Sequence, residues 1–180
     1  MALNASTYGV RRTWISALRR DARDERGAAG PLSTPALLET LKSDGYAVIH
    51  GISTSRGKLD HVVIGPTGAF AIEARGWSGK IGVNAVPRLT VDGRDEHETV
   101  RQVRGAANDV QSRLSRAGVA PWVSAVVVVH EDAQMPRPRF ALVHDRVTVV
   151  KTSDLIAMIR QHVGALTGPE IARASVAVSA

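Results

Sequence analysis

The sequence predicts an α/β domain, a mixed β-sheet flanked by helices, and three observations carry that prediction. Residues 57–81 hold two apolar, strand-like runs separated by Gly-Pro-Thr-Gly, the pattern of a β-hairpin. Val100, Val103, Ala107, Val110 and Leu114 recur at helical spacing. The uncharged run Val-Ser-Ala-Val-Val-Val-Val lacks alternation, which requires cover on both faces, as for a central strand between helices. Helix, strand, hairpin, helix and buried strand in this order make a layered sandwich.

Taken in order, residues 1–30 stand apart. Val10, Trp14, Ile15 and Leu18 form one helical stripe against Arg11, Arg12, Arg19, Arg20, Arg23 and Arg26, which predicts a basic amphipathic helical arm and linker. Such an arm can clamp nucleic acid, lie on a membrane surface or a protein partner, or pack on the domain with its basic face in solvent. Thr34 and Pro35 open a helix that runs to about Ser43, and Gly45 stops it. A strand over 46–50 precedes the hairpin. Beyond the hairpin come short strands over 80–86 and 88–91, then a long helix capped by Asp95. The buried strand spans 122–130. Strands over 140–143 and 147–150 flank a His-Asp-Arg turn, and a helix over 154–162 closes the domain. The tail, 167–180, has no assignment.

Composition limits the function classes. The chain has 180 residues, 44% of them hydrophobic, enough for one well-buried domain and too few for two ordinary ones. It has no cysteine, which excludes disulfide frameworks and cysteine-based zinc sites and is compatible with a reducing cytoplasm. No apolar run approaches the roughly 18 residues of a membrane span, and the compact apolar core of a signal peptide is missing. The expected location is cytoplasmic. A net charge of +6, mostly arginine, favours an anionic partner.

The hairpin carries the chemistry. With Pro66 and Thr67 as the turn, Gly65 pairs with Gly68, and counting outward puts Asp60 opposite Glu73 and Lys58 opposite Arg75. Leu59, His61 and Val63 then point the other way, with Phe70 and Ile72. Opposed carboxylates repel, so something positive should lie between them. One reading is a salt-bridged surface quartet contributing about 0 to 1 kcal/mol per exposed pair. The other is a hard-cation site, with two carboxylates and a backbone carbonyl holding Mg²⁺ or Mn²⁺. The other histidines show no zinc-helix spacing, and no phosphate loop or Ser-His-Asp motif occurs.

Gly-Lys-Leu-Asp-His-Val-Val-Ile-Gly-Pro-Thr-Gly-Ala-Phe-Ala-Ile-Glu-Ala-Arg resembles the core of the nuclease-related domain (NERD) family, a restriction-endonuclease-like branch of the PD-(D/E)xK superfamily. The resemblance extends over 31–166. It implies a restriction-endonuclease-like fold and a Mg²⁺-dependent phosphodiester hydrolase acting on nucleic acid, with DNA the expected partner. It also implies Asp60, Glu73 and the Ala74 carbonyl as metal ligands, and Gln102 on the long helix as the glutamine that reaches the same pocket. Trp77 sits where the family often has an aromatic, for base stacking or core packing.

Two departures bear on activity. Where the family's first helix opens with Gly-Glu, this chain has Gly30-Pro31, so the upstream acid is missing or displaced to Glu39. The family's Glu-x-Lys is here Glu73-Ala74-Arg75, and arginine stabilises phosphate charge but does not exchange a proton. Lys58 can supply the missing ammonium. The expectation is a metal-dependent nuclease, weakened by its degenerate motif. The alternative is an inactive nuclease-fold module that binds nucleic acid or a protein partner, and a membrane-surface adaptor working through the arm is a third class.

Overall fold

The structure, a computed structural model, describes residues 33–83, 88–135, 141–143 and 146–180. The expected N-terminal arm lies outside them. Helix α1 (Thr34–Glu39) continues into a 3-10 turn (Thr40–Asp44) and leads to β1 (Ala47–Thr54), β2 (Gly57–Gly65) and β3 (Gly68–Arg75). Three short strands follow: β4 (Ile81–Val83), β5 (Leu89–Val91) and β6 (Arg94–Asp95). The long helix α2 (His97–Arg116) precedes β7 (Val123–Val129), β8 (Ala141–Val143) and β9 (Val147–Lys151), and helices α3 (Thr152–Gln161) and α4 (Gly168–Ser179) complete the chain.

The main sheet has six strands in the order β1-β2-β3-β7-β9-β8. Its first three strands are antiparallel, β7 runs parallel to both β3 and β9, and β8 lies antiparallel on the edge. Strands β4 to β6 form a separate antiparallel sheet. The mixed α/β architecture is the one the sequence predicts. Apart from Ser124, whose Oγ lies 3.0 Å from His162 Nε2, strand β7 is apolar because both its faces are covered. Val123, Ala125, Val127 and Val129 pack with the α2 residues Val100, Val103, Val110 and Leu114, whereas Val126 and Val128 pack with Leu38, Leu155 and Ile159 of α1 and α3. Among the described residues no helix is long and apolar enough to cross a membrane.

Several boundaries differ from expectation, each for a local reason. Strand β1 does not stop near His50, because Gly51 continues the chain at φ 68° and pairing resumes to Thr54. The chain then turns at Ser55 and Arg56 into β2, giving a second hairpin. Asp95 lies one residue outside the cap position of α2. Its Oδ1 still accepts the His97 N–H at 2.8 Å, while Oδ2 accepts from the Arg88 guanidinium at 2.9 Å. The unassigned tail is α4. Thr167 and Glu170 form a capping box, and Ile171, Ala174 and Val178 enter the α2-side core.

The Pro66–Thr67 turn that sets the β2–β3 register is held from three directions. Thr67 Oγ1 donates to the Ile159 carbonyl at 2.7 Å and so accepts from Tyr46 Oη at 2.8 Å. His162 Nδ1 lies 2.8 Å from the Thr67 carbonyl, and the Leu166 N–H donates to that of Pro66 at 3.3 Å. The Tyr46 ring covers Gly65 so closely that a Cβ there would lie 1.9 Å from Cδ1. Gly65→Ala should therefore destabilise the protein by about 1–3 kcal/mol in urea unfolding, the cost of overpacking a filled site. An unchanged midpoint would contradict the packing of Tyr46 on Gly65.

Candidate active site

Strands β2 and β3 pair from Gly65–Gly68 out to His61–Ile72, the register that a two-residue turn requires, and there the ladder ends. Beyond that point β3 stays paired with β7, through Glu73–Val127, Ala74–Val128 and Arg75–Val129. Strand β2 stays paired with β1 and bends away. Leu59 and Ile52, which strict alternation would place on the α1 side with His61, join the α2-side core instead. Gly51 lies on the bend, bracketed by the pairs His50–His61 and Ile52–Leu59.

Asp60 and Glu73 occupy the fork where the strands part. In place of a ladder pair, Asp60 Oδ2 accepts the Ala74 backbone N–H at 2.9 Å. Glu73 is buried, 3% exposed, and its Oε1 takes the Arg75 Nη2 at 2.6 Å. Burial pushes the Glu73 carboxyl up to about 7. The Asp60 charge pushes the same way, and the Arg75 guanidinium and the Asp60 backbone N–H offset part of the shift. The positive charge expected beside the acids is thus supplied within β3 itself. Arg75 lies two residues from Glu73, on the same side of the strand.

The other expected site residues stand around this fork. Lys58 is not opposite Arg75, because pairing with β3 ends before it; it pairs with Ser53 of β1. Its side chain crosses Gly51, with Nζ 3.3 Å from where a Cβ would stand, so it flanks the position that the β1–β2 register sets against Asp60. Gln102 projects from α2 to Gly57, its Nε2 3.9 Å from a Cβ position there, three residues before Asp60. Trp77 is 1% exposed in the α2-side core and so packs rather than stacking on a base.

Glu39 does not join the acids. It pairs with Lys42 and with His50 Nε2 at 3.0 Å, and His50 Nδ1 meets His61 Nδ1 at 2.8 Å. This carboxylate–histidine–histidine chain ties α1 to the sheet and has no signature in the sequence, since its members sit on separate elements. Burial holds the His61 imidazole down at about 4, so it stays neutral. Among the described residues, no group of three or more His, Asp or Glu is placed to hold a metal ion.

Glu73 and His61 have opposite linkage signs over nearly the same pH range. Glu73, raised from 4.5 to about 7, gives stability present in full below pH 4.5 and lost as pH rises through 7. His61, lowered from 6.5 to about 4, gives stability present above pH 6.5 and lost as pH falls through 4. Each is worth about 3 kcal/mol. In EDTA, urea unfolding of the wild type should vary little between pH 4.5 and 6.5. Stability of Glu73→Gln should rise with pH in that window, and that of His61→Phe should fall. Parallel profiles for all three proteins would contradict these assignments.

The model of the nuclease-related domain family matches residues 26–130, more than half of the chain. No curated protein and no solved structure matches it significantly. The matched segment contains α1, both hairpins with the Asp60–Glu73 fork, all of α2 and the central strand β7. The chain belongs to the nuclease-related domain family, whose general kind of fold is restriction-endonuclease-like.

Proposed function

We propose that the protein is a cytoplasmic, metal-dependent nuclease that hydrolyses phosphodiester bonds of nucleic acid, DNA first, at the Asp60–Glu73 fork. The observation that carries the reading is the convergence of two carboxylates from adjacent strands where the ladder parts. One of them is buried and driven toward neutrality by its surroundings. A carboxyl so placed benefits from a cation.

The residues fit a magnesium-like ion better than a fully protein-caged one. Mg²⁺ is usually held by one or two carboxylates, with waters and substrate phosphate completing its octahedron. Asp60 and Glu73 supply the two carboxylates, and the Ala74 carbonyl is a candidate third ligand. When bound, Mg²⁺ or Mn²⁺ supplies Lewis-acid polarisation of the phosphoryl group and acidifies the attacking water. Asp60 is held in place by the Ala74 N–H. Arg75 now neutralises Glu73; once Glu73 is neutralised otherwise, its guanidinium can turn to a phosphate oxygen and stabilise the charge that develops there. Lys58, flanking Asp60, carries the exchangeable proton that Arg75 does not. Gln102 presents an amide at the mouth of β2 to orient a phosphate or a water.

A second reading has its own observation. Arg75 already satisfies Glu73 at 2.6 Å, and an internal ion pair is what a fold kept only for binding would retain. One experiment separates the two. Wild type, Asp60→Asn and Glu73→Gln are melted in Mg²⁺, Mn²⁺ or EDTA and incubated with duplex DNA, single-stranded DNA and RNA. A nuclease gives metal stabilisation of the wild type alone, about 2.7 kcal/mol at a hundredfold excess over Kd, and cleavage that falls about 100-fold or more in Asp60→Asn. Salt-sensitive binding in all three proteins, without cleavage or metal stabilisation, selects the binding module.

A further inference from the structure

The tip of the β1–β2 hairpin is fastened to α2 at three points. Ser55 donates its backbone N–H to Asp109 Oδ2 at 2.6 Å, and Arg113 Nη2 donates to the Ser53 carbonyl at 2.5 Å. Between them Arg56 lies across Gly105, where a Cβ would fall 2.6 Å from its Cγ and 2.9 Å from its Nε. Gly105 is in the middle of a 20-residue helix, where glycine costs about 1 kcal/mol relative to alanine. Its φ is not positive, so the backbone conformation does not call for glycine. The space does: the missing side chain is the seat of Arg56.

Beside this seat is a cleft of about 480 Å³. Arg56 enters it from the hairpin tip, and Arg101, Gln102, Arg104 and Asn108 from α2. Three arginines and one acid, Glu98, line the cleft; Glu98 pairs with Arg101, and Asp109 lies close enough to Arg56 and Arg113 to feel both charges. Gln102 lies beside Gly57, so the cleft adjoins the start of β2, about 10 Å along the strand from Asp60. An arginine-rich cleft with two amide side chains is a set of donors for phosphate oxygens.

We propose that this cleft binds a backbone phosphate of a nucleic-acid strand, with Arg56, seated on Gly105, as its principal fork. The proposal deepens the reading of the Asp60–Glu73 fork as a phosphodiester site and rests on it, but binding in the cleft requires no metal and no cleavage. A strand held there by one phosphate would lead another toward the acids. Gly105 acts through Arg56 and is a positioning residue.

The test is oligonucleotide binding by the full chain in EDTA, across a salt series, for wild type, Arg56→Ala, Gly105→Ala and the double variant. Circular dichroism and thermal unfolding check that each folds. Arg56→Ala should weaken binding about tenfold or more at fixed salt. It should also make the slope of log K against log salt shallower by about 0.7 to 0.9 for each phosphate that Arg56 neutralises. Gly105→Ala should weaken binding while α2 stays helical, and the double variant should bind no worse than Arg56→Ala. Unchanged affinity in Arg56→Ala or additive losses in the double variant would each overturn the proposal. Weaker binding by Arg56→Ala with no metal-dependent cleavage by wild type would uphold the cleft and reject hydrolysis. Cleavage with unchanged binding would do the reverse.

Discussion

The hydrogen bond from the Ala74 backbone to the Asp60 carboxylate marks the place where one sheet becomes two diverging ribbons. On one side of it β3 remains bound to the parallel strand β7; on the other, β2 follows β1 over α2. A part-buried fork of this kind leaves backbone donors without ladder partners, and such donors are satisfied locally. Asp60 does this for Ala74. The cost is that Glu73, carried on the β3 branch, has its carboxylate out of water beside a second acid, and its proton affinity rises accordingly.

The rest of the molecule fixes that fork. Tyr46, Thr67, His162 and Ile159 fasten the β2–β3 turn at the far end, so the register cannot slip by one residue and invert every side chain. Helix α2 fastens the other hairpin through Asp109, Arg113 and the bare surface of Gly105. Between these anchors the divergence of β2 from β3 is determined by packing. Ile52 and Leu59 are drawn into the α2-side core, and the positive φ of Gly51 accommodates the bend.

Much of the fold was legible because its signals are local. Gly-Pro-Thr-Gly defined one hairpin and its register, and the 3.6-residue spacing of valines and leucines defined α2. The uncharged, non-alternating run of β7 announced two covered faces. What escaped was non-local or atypical. Ser55-Arg56 is not a favoured hairpin turn pair, and Gly51 looks like a strand end unless its pairing to β2 is known. The α4 capping box was present in Thr-Gly-Pro-Glu but followed by a short, alanine-rich face. At the candidate site, counting residues put Asp60 opposite Glu73 on the assumption that the ladder ran straight past them, whereas it ends at His61–Ile72. The count therefore set Lys58 against Arg75, when the bend pairs Lys58 with Ser53 and leaves Arg75 to Glu73. The cleft on α2 depends on contact between elements almost fifty residues apart, which no local pattern encodes.

The proposed chemistry turns on which cation neutralises Glu73. Arginine two residues along the strand does so internally, and a divalent ion shared with Asp60 would do so while opening the site to phosphate. Anomalous scattering from Mn²⁺ in crystals of the protein distinguishes these states directly. A difference peak bonded to both Asp60 and Glu73, with the Arg75 guanidinium moved off Glu73, is the predicted result. A crystal in Mn²⁺ with no peak at the fork and Arg75 still paired to Glu73 would contradict it.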